Sequence, residues 1–132
     1  MRFLSAIAAL FLMVLPMHAQ QDEIRSVISG QIQSLLKDDF ETAFSHAAPN
    51  IKQMFQTPER FGQMVANGYP MVHRPSEITF QELFENDGEF TQDVLLRDVQ
   101  GLYHVARYTM AMIGGIWQIS GVIVLDSAGV GV

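Results

Sequence analysis

Six residues in the second half of this chain have side chains suited to share one piece of chemistry: Glu82, Gln92, His104, Tyr108, Trp117 and Gly121. A carboxylate, an amide, an imidazole and a phenol supply acid, donor and acceptor groups, and an indole adds an apolar wall with one N–H. A glycine among them leaves room for a guest. A carboxylate enclosed by apolar neighbours is pushed toward a useful general base, with Tyr108 or His104 as proton donor. The same groups without a reacting partner set make a binding pocket, in which a few polar points orient a small apolar or amphipathic molecule. They are far apart in sequence, so strand pairing decides which of these applies.

From Glu77 onward apolar residues recur with period two, which predicts strands over 77–85, 89–98, 102–113 and 116–125, separated by glycine-containing turns. Gly114-Gly115 fits a two-residue hairpin turn that pairs Ile113 with Ile116. Counting outward sets Met112 beside Trp117, Met110 beside Ile119, Tyr108 beside Gly121 and Ala106 beside Ile123. A three-residue loop Val99-Gln100-Gly101 turns Phe90, Val94 and Leu96 inward. The same loop type at Asn86-Asp87-Gly88 turns Ile78, Phe80 and Phe84 inward. On this register Glu82, Gln92, Tyr108 and Gly121 form a polar row between apolar rows, with His104 one row beyond Ala106. The plainer alternative is that Gln92 and Tyr108 are satisfied core polars and Glu82 lies at a sheet rim.

The first half of the domain must supply the layer that covers this face. Ile24, Val27, Ile28, Ile32, Leu35 and Leu36 recur at helical spacing, predicting a helix over about 22–37 with Asp22 as its N-cap. Asp38-Asp39 interrupts it, and a second short helix carries Phe40, Ala43 and Phe44. Pro49 opens a third with Ile51, Met54 and Phe55 inward. Thr57-Pro58 caps a fourth with Phe61, Met64 and Val65 as its stripe, closed by Gly68. Residues 69–75, with two prolines, read as an extended connection. Helices first and strands second define an α+β domain with the helices on one face of an antiparallel sheet.

Met1-Arg2, the apolar run Phe3–Leu15 broken only by Ser5, Pro16, and a small residue at Ala19 have the layout of a secretory signal. The run is short for a membrane span, which needs about 20 apolar residues. Residues 1–19 are therefore expected to be cleaved, leaving a single domain over 20–126 and a flexible tail over 127–132. Without Arg2 the mature chain has seven basic against fourteen acidic residues, a net charge of −7. The basic residues stand singly, so no face is suited to nucleic acid or to an anionic membrane. There is no cysteine, which excludes disulfides and thiol chemistry.

Metal chemistry finds little support. His46, His73 and His104 lack ligand spacing, and Asn86-Asp87-Gly88 is a solvated turn rather than a calcium loop. Met110-x-Met112 opposite Trp117 offers soft ligands to Cu(I), but methionine beneath helices more often fills irregular core space. No metal and no cofactor is expected.

An N-terminal helical layer on a curved four-stranded antiparallel sheet resembles the nuclear transport factor 2-like cone, with its pocket between helices and concave sheet. Several stretches resemble an exported bacterial family known as domain of unknown function 4864. They are the segment Lys37–Pro49, Phe61-x-x-Met64-Val65-x-x-x-Tyr69, Gln92-x-Val94 with Asp98-x-x-Gly101, and Tyr108-x-Met110 followed by Gly115-x-Trp117-x-Ile119-x-Gly121. The resemblance implies fold and export and carries no catalytic residue; fold alone does not settle function. Three functions follow as expectations. The first is a non-catalytic pocket using Glu82, Gln92, His104, Tyr108, Trp117 and Gly121. The second is a homodimer through the sheet's outward face, where Val105, Val122, Val124, Ile113 and Ile116 are unusually apolar. The third is a small acid–base enzyme using Glu82.

Overall fold

The structure, a computed structural model, describes residues 17–125; the expected signal core (residues 1–16) and the tail over 127–132 lie outside the described residues. Five helices precede four strands: α1 Met17–Leu36, α2 Phe40–Ser45, α3 Pro49–Phe55, α4 Pro58–Gly68 and α5 Pro70–His73, then β1 Glu77–Asn86, β2 Glu89–Arg97, β3 Tyr103–Ile113 and β4 Ile116–Leu125. The strands form one antiparallel sheet in sequence order, and Ile24, Ile28, Ile32 and Leu35 of α1 are buried in the core shared with it. The expected α+β architecture is the observed one.

Local chemistry explains most boundaries. Asp39 caps α2 by accepting from Thr42 N, and Thr57 caps α4 by accepting from Arg60 N, with Pro58 at the first helical position. Three helix expectations need correction. Asp22 is not an N-cap, because α1 already begins at Met17 and runs through it. Met54 does not point into the core but is mostly exposed at the end of α3. Residues 70–73 are not extended: Pro70, whose fixed φ suits a first turn, starts the short helix α5.

The β3–β4 hairpin turns at Gly114-Gly115, both with positive φ, and pairs Ile113 with Ile116 and Met110 with Ile119 as expected. The β2–β3 pairing is also as expected, with Gln92 opposite Tyr108 and Leu96 opposite His104. Two irregularities overturn the rest of the register. In β4 a bulge at Ser120 sets Gly121 opposite Thr109 and Val122 opposite Tyr108. One extra residue flips every side chain beyond it. Val122 and Val124 therefore face the core, while Ile123, expected inside, is 61% exposed on the outer face.

In β1 the turn is the two-residue Asp87-Gly88 rather than a three-residue loop, and pairing shifts again between Phe80 and Leu83. Phe84 accordingly faces outward, where the Arg107 guanidinium lies 5.9 Å from its ring centroid, and Leu83 takes the inner position opposite Gln92. The expected polar row is thus Leu83, Gln92, Tyr108, Val122, with polar groups only in its middle.

Candidate functional site

Both bulges are held by side chains from the helical layer or the sheet core. At β1, the two carbonyls in the bulge are collected by a single buried amide, which also reaches the carbonyl of its own neighbour in β2. Gln92 Nε2 lies 2.9 Å from Gln81 O, 3.3 Å from Glu82 O and 2.9 Å from Asp93 O. Arg25 of α1 completes the clamp, donating to Gln81 O at 2.9 Å and stacking its guanidinium over Phe80. At β4, Asn50 Nδ2 of α3 donates 2.8 Å to Ser120 O. The linker before α3 pairs beside it: Ile119 N donates to His46 O and Ala48 N to Ile119 O, both at 2.8 Å. That short parallel bridge also covers an otherwise open sheet edge.

Beside the β4 bulge, between the sheet edge and the helices, lies a cavity of about 260 Å³. Its floor is the Ile119–Val122 segment. Its walls are Gln31 and Leu35 from α1, Ile51 and Phe55 from α3, and Phe61 and Val65 from α4. Met54, Met64 and Tyr69 complete the lining, and Val72 of α5 closes the far side. The lining is apolar apart from Gln31, Asn50, Ser120 and the Tyr69 hydroxyl, and no lining side chain is ionisable except that phenol. Gln31 is only 3% exposed, and its Nε2 donates 3.1 Å to Ala43 O of α2.

The α5 wall is tied to the end of α1. Asp38, in the left-handed region at φ 55°, accepts from His73 Nε2 at 2.7 Å and from Arg74 at 2.8 Å. The His73 hydrogen bond, helped by the Arg74 charge, holds the Asp38 carboxyl below its ordinary range. His46, at the base of the linker, is pushed below its ordinary value chiefly by burial and then by Lys52.

The structure separates the residues singled out from sequence. Only Gly121 lines this cavity, and it does so with backbone, since a Cβ there would point to Thr109 on the outer face. Glu82 sits in the β1 bulge with its side chain exposed, so the enclosed carboxylate expected there is corrected: the bulge turns it outward. Gln92 and Tyr108 are together and fully buried beneath α1, but Gln92 is spent on the bulge. Tyr108 Oη has no hydrogen-bond partner among the described residues, and burial pushes its ionisation upward. His104 Nε2 pairs with Asp98 Oδ2 at 2.8 Å beside the β2–β3 turn. This hydrogen bond is the main reason the Asp98 carboxyl is held low. Trp117 packs edge-on against Phe90 with centroids 5.1 Å apart, away from the cavity. Among the described residues no three His, Cys, Asp or Glu side chains cluster as metal ligands do.

Gln31 and Asn50 were not singled out from sequence, yet Gln31 left a signal. It lies seven positions after Ile24 and three after Ile28, so a polar residue interrupts the apolar stripe of α1. Asn50 left none, because its role depends on an irregularity in a strand 70 residues away.

Helices packed on the concave face of an open four-stranded antiparallel sheet, with a cavity between, define a nuclear transport factor 2-like domain. Solved structures agree on the fold. Aln2 from a Streptomyces species is 14% identical with a TM-score of 0.57, covering 88% of this chain and 96% of that one. A nuclear transport factor 2-like protein of unknown function from Shewanella oneidensis is 14% identical with a TM-score of 0.53, covering 81% and 99%. A protein of unknown function with a cystatin-like fold from Nostoc punctiforme is 15% identical with a TM-score of 0.56, covering 80% and 90%. The comparison with curated proteins gives no match. The chain belongs to the family described as Domain of unknown function (DUF4864), which matches residues 17–132.

Proposed function

We propose that this domain is an exported binding protein whose cavity between α1, α3, α4 and β4 holds a small apolar or amphipathic molecule without transforming it. The observation that carries this reading is the cavity's lining: aromatic and aliphatic walls with a few convergent polar groups, the composition of a small-molecule site. The acid–base alternative loses its main support, because Glu82 is exposed in the β1 bulge and outside the cavity. Export rests on residues 1–19 alone, whose charge, apolar run and small-residue exit have the layout of a cleavable signal. Native mass spectrometry of protein recovered from the exported fraction tests both parts. The expected spectrum begins after Ala19 and carries an added small-molecule mass. Protein retaining Met1 counts against export. Protein that carries no added mass and gains none from a panel of small amphipathic compounds counts against the binding reading.

A homodimer through the outer sheet face is the second reading, favoured by exposed Ile123, Tyr103 and Phe84 on one side of the sheet. The Asp93–Arg107 pair, bidentate at 2.8 and 3.0 Å, would give such a contact a polar centre. Light scattering that finds only monomer at high concentration ends this reading.

A further inference from the structure

We infer that the cavity selects an uncharged guest with an apolar ring-like body and a hydrogen-bond donor directed at Gln31 Oε1. This inference rests on the binding reading above and narrows its ligand class. It starts from how the two lining amides are spent. Ala43 O can only accept, so the Gln31 group facing it must be the NH₂, and the assignment of nitrogen and oxygen follows from the partner. Gln31 Oε1 is then the group left on the other side of the amide. No hydrogen bond among the described residues engages it, and the side chain is 97% buried. Asn50 repeats the pattern at the rim: its Nδ2 is committed to Ser120 O, which leaves Oδ1 outward. Ser120 Oγ is also spent, donating 3.1 Å to Thr109 O. Gln31 Oε1 and Asn50 Oδ1 are therefore acceptors without a partner among the described residues, and the Tyr69 hydroxyl is the other polar group of the lining that no hydrogen bond engages.

Charge is selected against by the same lining. No lining residue is acidic or basic, so a bound carboxylate would have no cation and a bound ammonium no anion. An ion stripped of water without a partner is far costlier than a neutral polar group. The aromatic wall favours a flat body, since the Phe55 and Phe61 rings meet edge-on at 5.9 Å along one side.

Four naphthyl probes of nearly equal shape test this on the full domain by calorimetry at neutral pH: naphthalen-2-ol, 2-methoxynaphthalene, naphthalene-2-carboxylate and naphthalen-2-ylmethylammonium. The naphthol is expected to bind at least about 10-fold more tightly than either ion and roughly 5-fold more tightly than the methoxy compound, which lacks the donor. In Gln31→Met the naphthol is expected to lose that roughly 5-fold advantage while the methoxy compound is unchanged. An ion that binds as tightly as the naphthol overturns the uncharged class but leaves the binding reading standing. A methoxy compound that matches the naphthol overturns the role of Gln31, whether or not Gln31→Met folds. If none of the four binds, the uncharged ring-like guest is overturned, and the binding reading itself is then decided separately by the native mass spectrum.

Discussion

Gly62 on α4 is the helical glycine with least room for a side chain. A Cβ built there would fall inside the Phe40 ring, closer than any real contact. Gly62→Ala forces Phe40 or α4 to move, and overpacking of this kind costs about 1–3 kcal/mol. Gly68, at the end of the same helix, has nothing within 4 Å of its Cβ position. Gly68→Ala should be neutral or slightly stabilising, and urea denaturation of the two variants separates packing from helix propensity. His46 sets a second residue-scale expectation. Its folded-state pKa lies below its ordinary 6.5 because burial disfavours the cation. The unfolded chain therefore takes up the proton first, and stability falls as pH drops below 6.5. Asp38 and Asp98 are held below their ordinary 3.8, so their contribution is present above that value and is lost only as pH falls below it. Denaturation midpoints measured from pH 7 to 3 should fall in two stages, and His46→Gln should flatten the first while leaving the second.

At the scale of elements, the two bulges carry the design, and each is held chiefly by a side-chain amide, Gln92 at β1 with Arg25 beside it and Asn50 at β4. Gln92→Leu fills the same buried volume but removes the amide donor to Glu82 O and Asp93 O, while Gln81 O keeps Arg25. Leaving buried acceptors unpaired costs about 1–3 kcal/mol for each group. Gln92→Leu should therefore lower stability by about 1–3 kcal/mol, and hydrogen exchange should show lost protection at residues 80–84 before the rest of the sheet. These bulges also explain what was legible in the sequence. Period-two patterning, glycine turns and the Thr57-Pro58 cap are local signals, and they place all four strands and the ends of α4 within a residue or two, whereas α1 starts five residues earlier than its apolar spacing suggests and α5 is missed. Pairing near each tight turn was legible too, as with Ile113 and Ile116. The register beyond Ser120 and between Phe80 and Leu83 was not. A bulge is decided by which distant side chains, here Asn50, Gln92 and Arg25, can satisfy the released backbone groups. The predicted site shared that fate: Gln92 and Tyr108 were rightly placed together, Glu82 and Gly121 fell on the wrong face, and the cavity opened one bulge away.

For the whole molecule, the helices and the bent edge of the sheet enclose a cavity that neither could form alone, and no helix among the described residues is long and apolar enough to cross a membrane. The methionines allow this account to be checked atom by atom. Met54 and Met64 line the cavity, whereas Met112 is exposed near the tip of the β3–β4 hairpin. Met64→Trp should fill the cavity and abolish small-molecule binding while leaving the cooperative unfolding transition in place. The most direct measurement is a titration of methyl-labelled protein with naphthalen-2-ol, followed by NMR. Saturable shifts of the Met54 and Met64 methyl signals are expected, with Met112 unmoved, and no shift of Met54 in Met64→Trp. Unmoved Met54 and Met64 signals, or a shift confined to Met112, would contradict binding in this cavity.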